Sequence, residues 1–236
     1  MYLSGYRAAY TEKTGHDVSL RFADWIEQVE AARPWSARFK TRKSAGTERI
    51  TFSPRRSFVR AFPPSPDKLR GDAMDLVIMD EAQHHDDVLG LSLDASIGPT
   101  MDTRPRRQLF ITGTAGDVTS TYFRRHYAAA KAGAPGYVLS EIGTWPDDAD
   151  PADENVWHAH HPGLRAGLTD VSALRENLGR LGPDRFAREY GNRWALMAED
   201  GIPGLATWAA RAWPAPVEQP ARRFVVAYDV AWDRSA

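Results

Sequence analysis

The chain has 236 residues, of which 42% are hydrophobic and 26% charged, and its formal net charge at pH 7 is -1. This length allows one large globular domain or two modest ones. No run approaches the roughly 18 to 20 apolar residues that span a bilayer, and the chain does not open on a leader-like segment, so we expect a cytoplasmic, non-membrane protein. Because cysteine is absent, disulfides, thiolate zinc sites and cysteine nucleophiles are excluded.

Charge is distributed unevenly along the chain. Between residues 33 and 70 there are eleven Lys or Arg residues against two acids, Glu48 and Asp67. Between residues 141 and 154 the balance reverses, with six acids and no base. A local excess of positive charge is typical of a surface that binds a polyanion such as nucleic acid or nucleotide phosphates. The alternative for this segment is a solvated basic loop.

The hydrophobic pattern predicts an alternation of helices and strands. In chain order, it predicts a helix over 17–32 with Asp17 as a possible cap, a hairpin of strands at 50–52 and 58–61, a buried strand at 76–79, a second at 108–112, a helix over 119–131, a strand near 137–142, helices over 169–181 and from Pro183, and a strand at 223–229. The two uniformly apolar strands suit a parallel sheet covered on both faces. The interval between them is long enough for the helical crossover that parallel strands require.

Two acids, Asp80 and Glu81, follow the first buried strand in the stretch "DLVIMDEAQ". The carboxyl ends of the strands of an open parallel sheet form its ligand crevice, so these acids are expected in a binding site. A carboxylate there can hold Mg²⁺ through its waters, and a second can polarise an attacking water. This is the Walker B arrangement. The alternative is a pair of acids that caps the next helix.

The segment "ITGTAG" at 111–116 follows the second buried strand. It places small and hydroxyl residues at the same edge of the predicted sheet as the two acids. Such residues can approach a phosphate or a water closely without steric conflict. An ordinary turn from a strand into a helix is the alternative.

Several motifs, in their order and spacing, carry a family resemblance. The stretches "LVIMDEA", "FITGTAG", "WHAHHPGL", "FAREYGNRW" and "FVVAYDVAWD" resemble successive landmarks of the large subunit of viral terminases, the ATP-driven motor-nucleases that package phage DNA. The resemblance covers most of residues 45–236. It implies an α/β fold with a partial RecA-like P-loop NTPase core, a mostly parallel sheet flanked by helices, followed by a linker and the first strand of an RNase H-like nuclease domain.

The resemblance also implies roles for individual residues. It implies Asp80 as the magnesium-associated Walker B acid, Glu81 as the catalytic base, Thr112, Gly113 and Thr114 as the motif that couples nucleotide state to DNA movement, Asp229 as the first metal-binding aspartate of the nuclease, and Arg70 as a possible phosphate or charge sensor. A structural salt bridge is the alternative role for Arg70. Trp194 is expected to anchor a core rather than to contact DNA.

Two departures from the family pattern limit what the chain is expected to do. The motif G-x-x-x-x-G-K-[ST], which cradles phosphates, is absent from the sequence. Only seven residues follow Asp229, and a single carboxylate cannot hold the two metals of phosphodiester cleavage. We therefore expect residues 1–200 to be the C-terminal portion of a terminase ATPase domain, 201–222 a linker, and 223–236 the start of a truncated nuclease domain. The chain by itself is expected to be inactive.

Cofactors and partners follow from the resemblance alone. It implies ATP with Mg²⁺, and Mg²⁺ or Mn²⁺ for the nuclease. It implies double-stranded DNA, the portal protein and the small terminase subunit as partners of a homo-oligomeric ring in the bacterial host cytoplasm. Two alternatives remain open: a fragment of a superfamily 2 helicase-like ATPase, because "DEAQ" resembles a helicase box, and a non-catalytic prophage remnant that binds DNA or a partner.

Two histidine-containing stretches resemble metal sites. "HHDD" at 84–87 is expected at the solvated start of a helix, and "HAHHP" at 158–162 is expected to be a loop. The first stretch predicts no dedicated metal site because of that solvated position, and the second predicts none because it has no cysteines and no regular pair of histidines four residues apart on a convincing helix.

Overall fold

The computed structural model describes residues 5–194. Within this range the chain forms two compact units, the first made of residues 5–114 and 120–141 and the second of residues 115–119 and 142–194. The predicted linker at 201–222 and the predicted strand at 223–229 lie outside the described residues.

The first unit is built on one six-stranded sheet. Its strands are β1 (Arg7–Thr11), β2 (Phe39–Arg42), β3 (Arg49–Phe52), β4 (Ser57–Ala61), β5 (Leu76–Met79) and β6 (Gln108–Ile111), in the spatial order β2-β3-β4-β1-β5-β6. Strands β4, β1, β5 and β6 are mutually parallel, whereas β2 and β3 join β4 as an antiparallel meander. The predicted mixed α/β fold with a mostly parallel sheet is confirmed.

Three helices cover the two faces of this sheet, namely α1 (Gly15–Ala31), α2 (Asp87–Met101) and α3 (Thr121–Lys131). Side chains of a strand alternate between faces, so Tyr10 packs on the face of α1 while Ala9 packs on the face of α2 and α3. On the second face, Val77 and Met79 are fully buried beneath the helices. The sheet core therefore lies around β1 and β5, the strands that lead into the predicted acids.

Helix α1 begins two residues earlier than predicted. Thr14 is its N-cap, because the Thr14 hydroxyl accepts a hydrogen bond from the Asp17 backbone at 3.2 Å and donates to the Asp17 carboxylate at 2.6 Å. The first of these hydrogen bonds satisfies one amide that a helix start would otherwise leave unpaired. Asp17 as the cap was wrong, since Asp17 lies in the first turn.

Two strands were missed and one predicted strand is absent. Neither β1 nor β2 was predicted. Residues 137–142 form no strand. There Val138 is 95% exposed and Ile142 is 75% exposed, so within residues 5–194 these apolar residues, spaced as in a strand, have no neighbouring strand to pair with.

The described part of the second unit is helical, with α4 (Glu154–His160), α5 (Pro162–Arg165), α6 (Val171–Leu181) and α7 (Pro183–Gly191). Its core contains Trp145, Trp157, Leu174 and Phe186. The predicted helices over 169–181 and from Pro183 are confirmed. The loop predicted at 158–162 was wrong, because α4 and α5 run through this stretch with a single break at residue 161.

Within residues 5–194, the structure contains no helix both long enough and apolar enough to cross a membrane.

Candidate active site

The predicted acids lie at the carboxyl edge of the sheet, where β1, β5 and β6 end side by side. Asp80 follows β5 directly, and its backbone amide donates to the Thr11 carbonyl of β1 at 2.9 Å. On the other side, the Thr112 amide after β6 donates to the Met79 carbonyl at 2.9 Å. The three strands are parallel, so these hydrogen bonds carry the ladder one step beyond the strands and hold the three loops in register.

The carboxylate of Asp80 is fixed by three hydrogen bonds from three parts of the chain. Its Oδ1 accepts from the Thr112 hydroxyl at 2.7 Å and from the Glu81 amide at 3.0 Å. Its Oδ2 accepts from the Tyr10 hydroxyl at 2.9 Å. Hydrogen bonds to a charged acceptor are stronger than neutral ones, so the orientation of this carboxylate is set before any ligand binds.

Tyr10 links Asp80 to a second carboxylate that sequence reasoning missed. The Tyr10 hydroxyl lies 3.2 Å from Oε1 of Glu12, a side chain that is almost fully buried. The same Glu12 oxygen accepts from Arg21 of α1 at 3.1 Å. Burial raises the pKa of Tyr10 above its ordinary value, and the hydrogen bond to Asp80 raises it further, so the phenol stays protonated as a donor.

Glu81 has an unusual backbone conformation. Its φ and ψ angles of 53° and 37° lie in the left-handed region, which a residue with a β-carbon seldom occupies. The side chain is 43% exposed, and its Oε2 accepts from Gln83 Nε2 at 2.6 Å. Oε1 makes no hydrogen bond within the described residues, so this oxygen is available to a water molecule.

Gln83 joins Glu81 to the segment after β6. Its Oε1 accepts from the Thr114 amide at 3.3 Å while its amide nitrogen holds Glu81. Gly113 is needed for this contact, because a β-carbon at this position would lie 2.2 Å from Gln83 Oε1. A backbone hydrogen bond also joins the segment after β5 to the segment after β6, since the Ala82 amide donates to the Thr112 carbonyl at 3.0 Å.

The oxygens of Asp80 can be tested against the magnesium ion that the resemblance implies. A carboxylate oxygen has two lone pairs, and both of those on Oδ1 are taken by Thr112 and Glu81. Oδ2 keeps one lone pair after it accepts from Tyr10. Mg²⁺ in proteins usually keeps several waters. The residues therefore fit an ion held through a water on Oδ2 and do not fit direct ligation by both oxygens.

Of the predicted site residues that the structure describes, Arg70 is not brought to this edge. Arg70 precedes β5, at the opposite end of the strand from Asp80, and its Nε lies 3.8 Å from an oxygen of Asp67. The five steps from Asp75 to Asp80 alone span roughly 16 Å at the rise of a strand. Arg70 therefore lies beyond the far end of this strand, and its role as a phosphate or charge sensor stays a prediction. Asp229 lies outside the described residues.

The histidines after Glu81 differ in their surroundings. His84 Nε2 lies 3.7 Å from Glu81, at the surface. His85 is only 1% exposed, so the expectation of a solvated helix start was wrong at this position. Burial lowers the pKa of His85 below its ordinary value. Within residues 5–194, no three His, Asp or Glu side chains are grouped in a way that could hold a metal ion.

No protein-family model and no curated protein matches this sequence. Solved structures do match its fold. The large terminase of bacteriophage HK97 has a TM-score of 0.65 at 17% identity, over 82% of this chain and 40% of that protein. The ATPase domain of the Thermus phage P74-26 large terminase has a TM-score of 0.51 at 19% identity, over 81% of this chain and 78% of that domain.

A third match is the large terminase of another thermophilic bacteriophage, in complex with ATP-gamma-S. Its TM-score is 0.53 at 9% identity, over 84% of this chain and 41% of that protein. The chain thus spans about two fifths of the HK97 terminase and of this third protein, and most of the P74-26 ATPase domain. At these identities the likeness concerns the fold, and this chain has the fold found in phage large terminases.

Proposed function

We propose that this chain is part of a phage terminase large subunit and supplies the acidic half of the ATPase site that drives packaging of double-stranded DNA. The observation that carries this proposal is the hydrogen-bonded set of Asp80, Glu81 and Thr112 at the carboxyl edge of a sheet whose fold is shared with phage terminases. The portal protein, the small terminase subunit and a homo-oligomeric ring belong to the same proposal.

Asp80 and Glu81 have separate tasks in this proposal. Mg²⁺ bound with ATP would neutralise phosphate charge, and Oδ2 of Asp80 would hold one of the waters of the ion. Glu81 would accept the proton of the attacking water on Oε1, while Gln83 fixes the other oxygen at 2.6 Å. A general base must be both free to accept a proton and held in place, and Glu81 meets both conditions.

Thr112, Gly113 and Thr114 would pass the state of this site to the rest of the protein. Thr112 contacts Asp80 through its hydroxyl, and Thr114 contacts Glu81 through Gln83. A movement of either acid would therefore displace the segment after β6. This supports the coupling role that the family resemblance assigns to the three residues.

Arg70 would act only on a nucleotide bound to a neighbouring subunit. It is exposed, and its ion pair with Asp67 is long at 3.8 Å, so its guanidinium is accessible. Its place at the opposite end of β5 separates it from Asp80 of its own chain. In a ring, one subunit can present such an arginine to the phosphates of the next, where it would stabilise transition-state charge.

Nuclease activity with Asp229 as a metal ligand is a separate part of the proposal.

The proposal is tested by hydrolysis of ATP with and without a phosphate cradle. Because the sequence has no G-x-x-x-x-G-K-[ST] motif, we expect negligible hydrolysis from residues 1–236 alone. When a segment that carries this motif is added at the amino terminus, Glu81→Gln should lower the hydrolysis rate by about 100-fold or more. Binding of a fluorescent ATP analogue should persist, because the amide keeps the shape of the carboxylate.

Glu27→Gln is the matched control, since Glu27 is an exposed carboxylate on α1. The same change of charge there should leave the hydrolysis rate unchanged. Retained hydrolysis in Glu81→Gln would reject Glu81 as the base. Magnesium-dependent turnover by residues 1–236 alone, abolished by Glu81→Gln, would reject the need for a separate phosphate cradle.

A further inference from the structure

Three arginines stand side by side across the antiparallel part of the sheet. Arg42 of β2 is directly opposite Arg49 of β3, and Arg49 is directly opposite Arg60 of β4. Opposed residues of antiparallel strands point to the same face, so the three side chains form a continuous row. The face is the one that carries Ala9 and Val77 further along the sheet, because Arg60 is in register with Ala9 and Ala9 with Val77.

The arginine row, Arg42, Arg49 and Arg60, is electrostatically unfavourable in the free protein. Opposed residues have β-carbons about 4.5 to 5.5 Å apart, a separation at which like charges destabilise a sheet. Burial lowers the pKa of Arg49, Arg7 and Arg42 lower it further, and Asp72 alone acts in the opposite sense. Arginine nevertheless stays charged in proteins. The row therefore holds several positive charges with one carboxylate to offset them.

The side chains of the row are held in place while part of their donor capacity is unused. Both terminal nitrogens of Arg60 donate to the Lys68 carbonyl, and one of them lies 3.2 Å from Asp72. The guanidinium of Arg49 lies over the Phe58 ring, 3.5 Å from its centroid. The Nε atoms of Arg49 and Arg60 are buried without a hydrogen-bond partner. These two buried atoms are out of reach of a phosphate, so the donors that could meet one are the terminal nitrogens of the exposed Arg42 and of the half-buried Arg49.

The surface around the row is basic and open. Arg42 at one end is exposed, and Lys40 on the same strand is exposed on the same face, opposite Thr51. Because neighbouring strands are about 4.8 Å apart, the row is about 10 Å long. From Arg49 to the strand that carries Asp80 there are three such spacings, about 14 Å. A phosphate on the row is thus distinct from a nucleotide phosphate beside Asp80.

We propose that the arginine row binds the phosphodiester backbone of double-stranded DNA. The proposal rests on the packaging function proposed above and names the surface through which this chain would hold its DNA. Arginine forms paired hydrogen bonds with phosphate, so adjacent arginines on a rigid sheet can hold adjacent backbone oxygens. Contacts of this kind position DNA without selecting a base sequence, as a motor that moves along any sequence requires.

The test is fluorescence anisotropy with residues 1–236 and a labelled DNA duplex of about 30 base pairs, titrated over a range of salt concentrations. The double variant Arg42→Gln/Arg49→Gln should bind the duplex at least about 10-fold more weakly, and the slope of log affinity against log salt should fall by about 2. Arg107→Gln/Arg165→Gln removes the same charge from two exposed arginines outside the row. This control should change the affinity by less than about 2-fold.

Two further measurements separate recognition from general charge and from folding. Arg42→Lys/Arg49→Lys keeps the charge and loses the paired geometry, so its affinity should lie between those of the wild type and the glutamine variant. The thermal unfolding midpoint of the glutamine variant should lie within about 4 °C of that of the control, because the relief of repulsion is offset by the loss of the Arg49 contact with the Phe58 ring. A larger fall of the midpoint would make the row a structural element and overturn the proposal.

The remaining outcomes distinguish this proposal from the proposed ATPase role. Equal loss of affinity in the row variant and the control overturns the row as the DNA site, and so does displacement of the duplex by equimolar tripolyphosphate. If the wild-type chain binds no duplex even at low salt while Glu81→Gln abolishes hydrolysis in the completed site, the row proposal fails and the ATPase proposal stands. If duplex binding is lost in Arg42→Gln/Arg49→Gln but not in the control, the row is supported as the DNA site, whatever the result of the hydrolysis assay.

Discussion

The carboxyl edge at Asp80 and the arginine row lie on the same sheet, but they differ in how many hydrogen-bond partners the protein supplies to their charged groups. Asp80 accepts three hydrogen bonds from Tyr10, Thr112 and Glu81. The arginine row sets like charges opposite one another and leaves two nitrogens unpaired. At the first region the fold supplies the partners of the charged group, and at the second it leaves partners missing.

This difference indicates what each region requires from a ligand. A carboxylate already oriented by the protein can hold a hydrated ion and a reacting water without reorganising when they arrive. A row of cations that one carboxylate only partly offsets is stabilised by an anionic ligand, so its binding energy depends strongly on salt. Three experiments test this difference between the two regions, and they are given in order of decreasing expected effect.

The largest effect is expected from removing the carboxylate of Asp80. Asp80→Ala removes the acceptor of three hydrogen bonds, and hydrogen bonds to charged groups contribute about 1.5 to 3 kcal/mol each. Because Tyr10 keeps Glu12 as an acceptor and Thr112 is exposed, we expect a net loss of about 2 to 3 kcal/mol in the free energy of unfolding. Arg42→Ala should change it by no more than about 0.5 kcal/mol. Urea denaturation followed by circular dichroism measures both, and equal losses would contradict the comparison.

A smaller effect is expected from a methyl group at Gly113. In Gly113→Ala the new β-carbon meets Gln83 Oε1 at 2.2 Å, so Gln83 must move and lose its hold on Glu81. Moving this flexible side chain should lower the free energy of unfolding by about 1 to 2 kcal/mol.

Gly179→Ala is the control for this change, because it lies within α6 and, apart from the nearby backbone of that helix, no atom lies within 4 Å of its added β-carbon. Alanine is the better helix former, so this variant should gain about 0.5 to 1 kcal/mol. Adding Gln83→Ala to Gly113→Ala should recover part of the loss. A double variant no more stable than Gly113→Ala alone would show that Gln83 is not the obstructing group.

The smallest effect is a pH dependence confined to the acidic edge. The pKa of His85 in the folded chain is below its ordinary value of 6.5, so the unfolded chain binds more protons as the pH falls through 6.5. Stability is therefore retained above this pH and lost below it, by at most about 1.4 kcal/mol per pH unit. The loss between about pH 7.5 and about pH 5.5 should be smaller in His85→Gln than in the wild type. An identical loss in both chains would exclude His85 as its source.

The sequence predicted best the parts of the fold whose own residues determine them. Strand β5 is uniformly apolar, and its prediction needed no knowledge of its neighbours. Strand β1 was missed because Ala8 and Ala9 are weak strand formers, and their place between β4 and β5 comes from contacts distant in the chain. The strand predicted at 137–142 failed for the converse reason, since its pattern has no partner strand within the described residues.

The candidate site shows the same limit. The approach of Thr112 to Asp80 followed from two parallel strands that end at one edge, and the structure has this contact at 2.7 Å. The contact between Tyr10 and Asp80 joins positions 70 residues apart and depends on the missed strand β1. Gln83 was visible in "DEAQ", but its contacts with Glu81 and Thr114 depend on the left-handed backbone at residue 81, which no local pattern predicted for a glutamate.

The backbone of Glu81 has a consequence for how this chain could change under selection. Glycine occupies the left-handed region without strain, so Glu81→Gly should gain stability of about 1 kcal/mol while it removes the carboxylate. Screening a library of variants for thermal stability alone would therefore enrich chains that have lost the acid. Stability alone therefore does not explain the glutamate at this position.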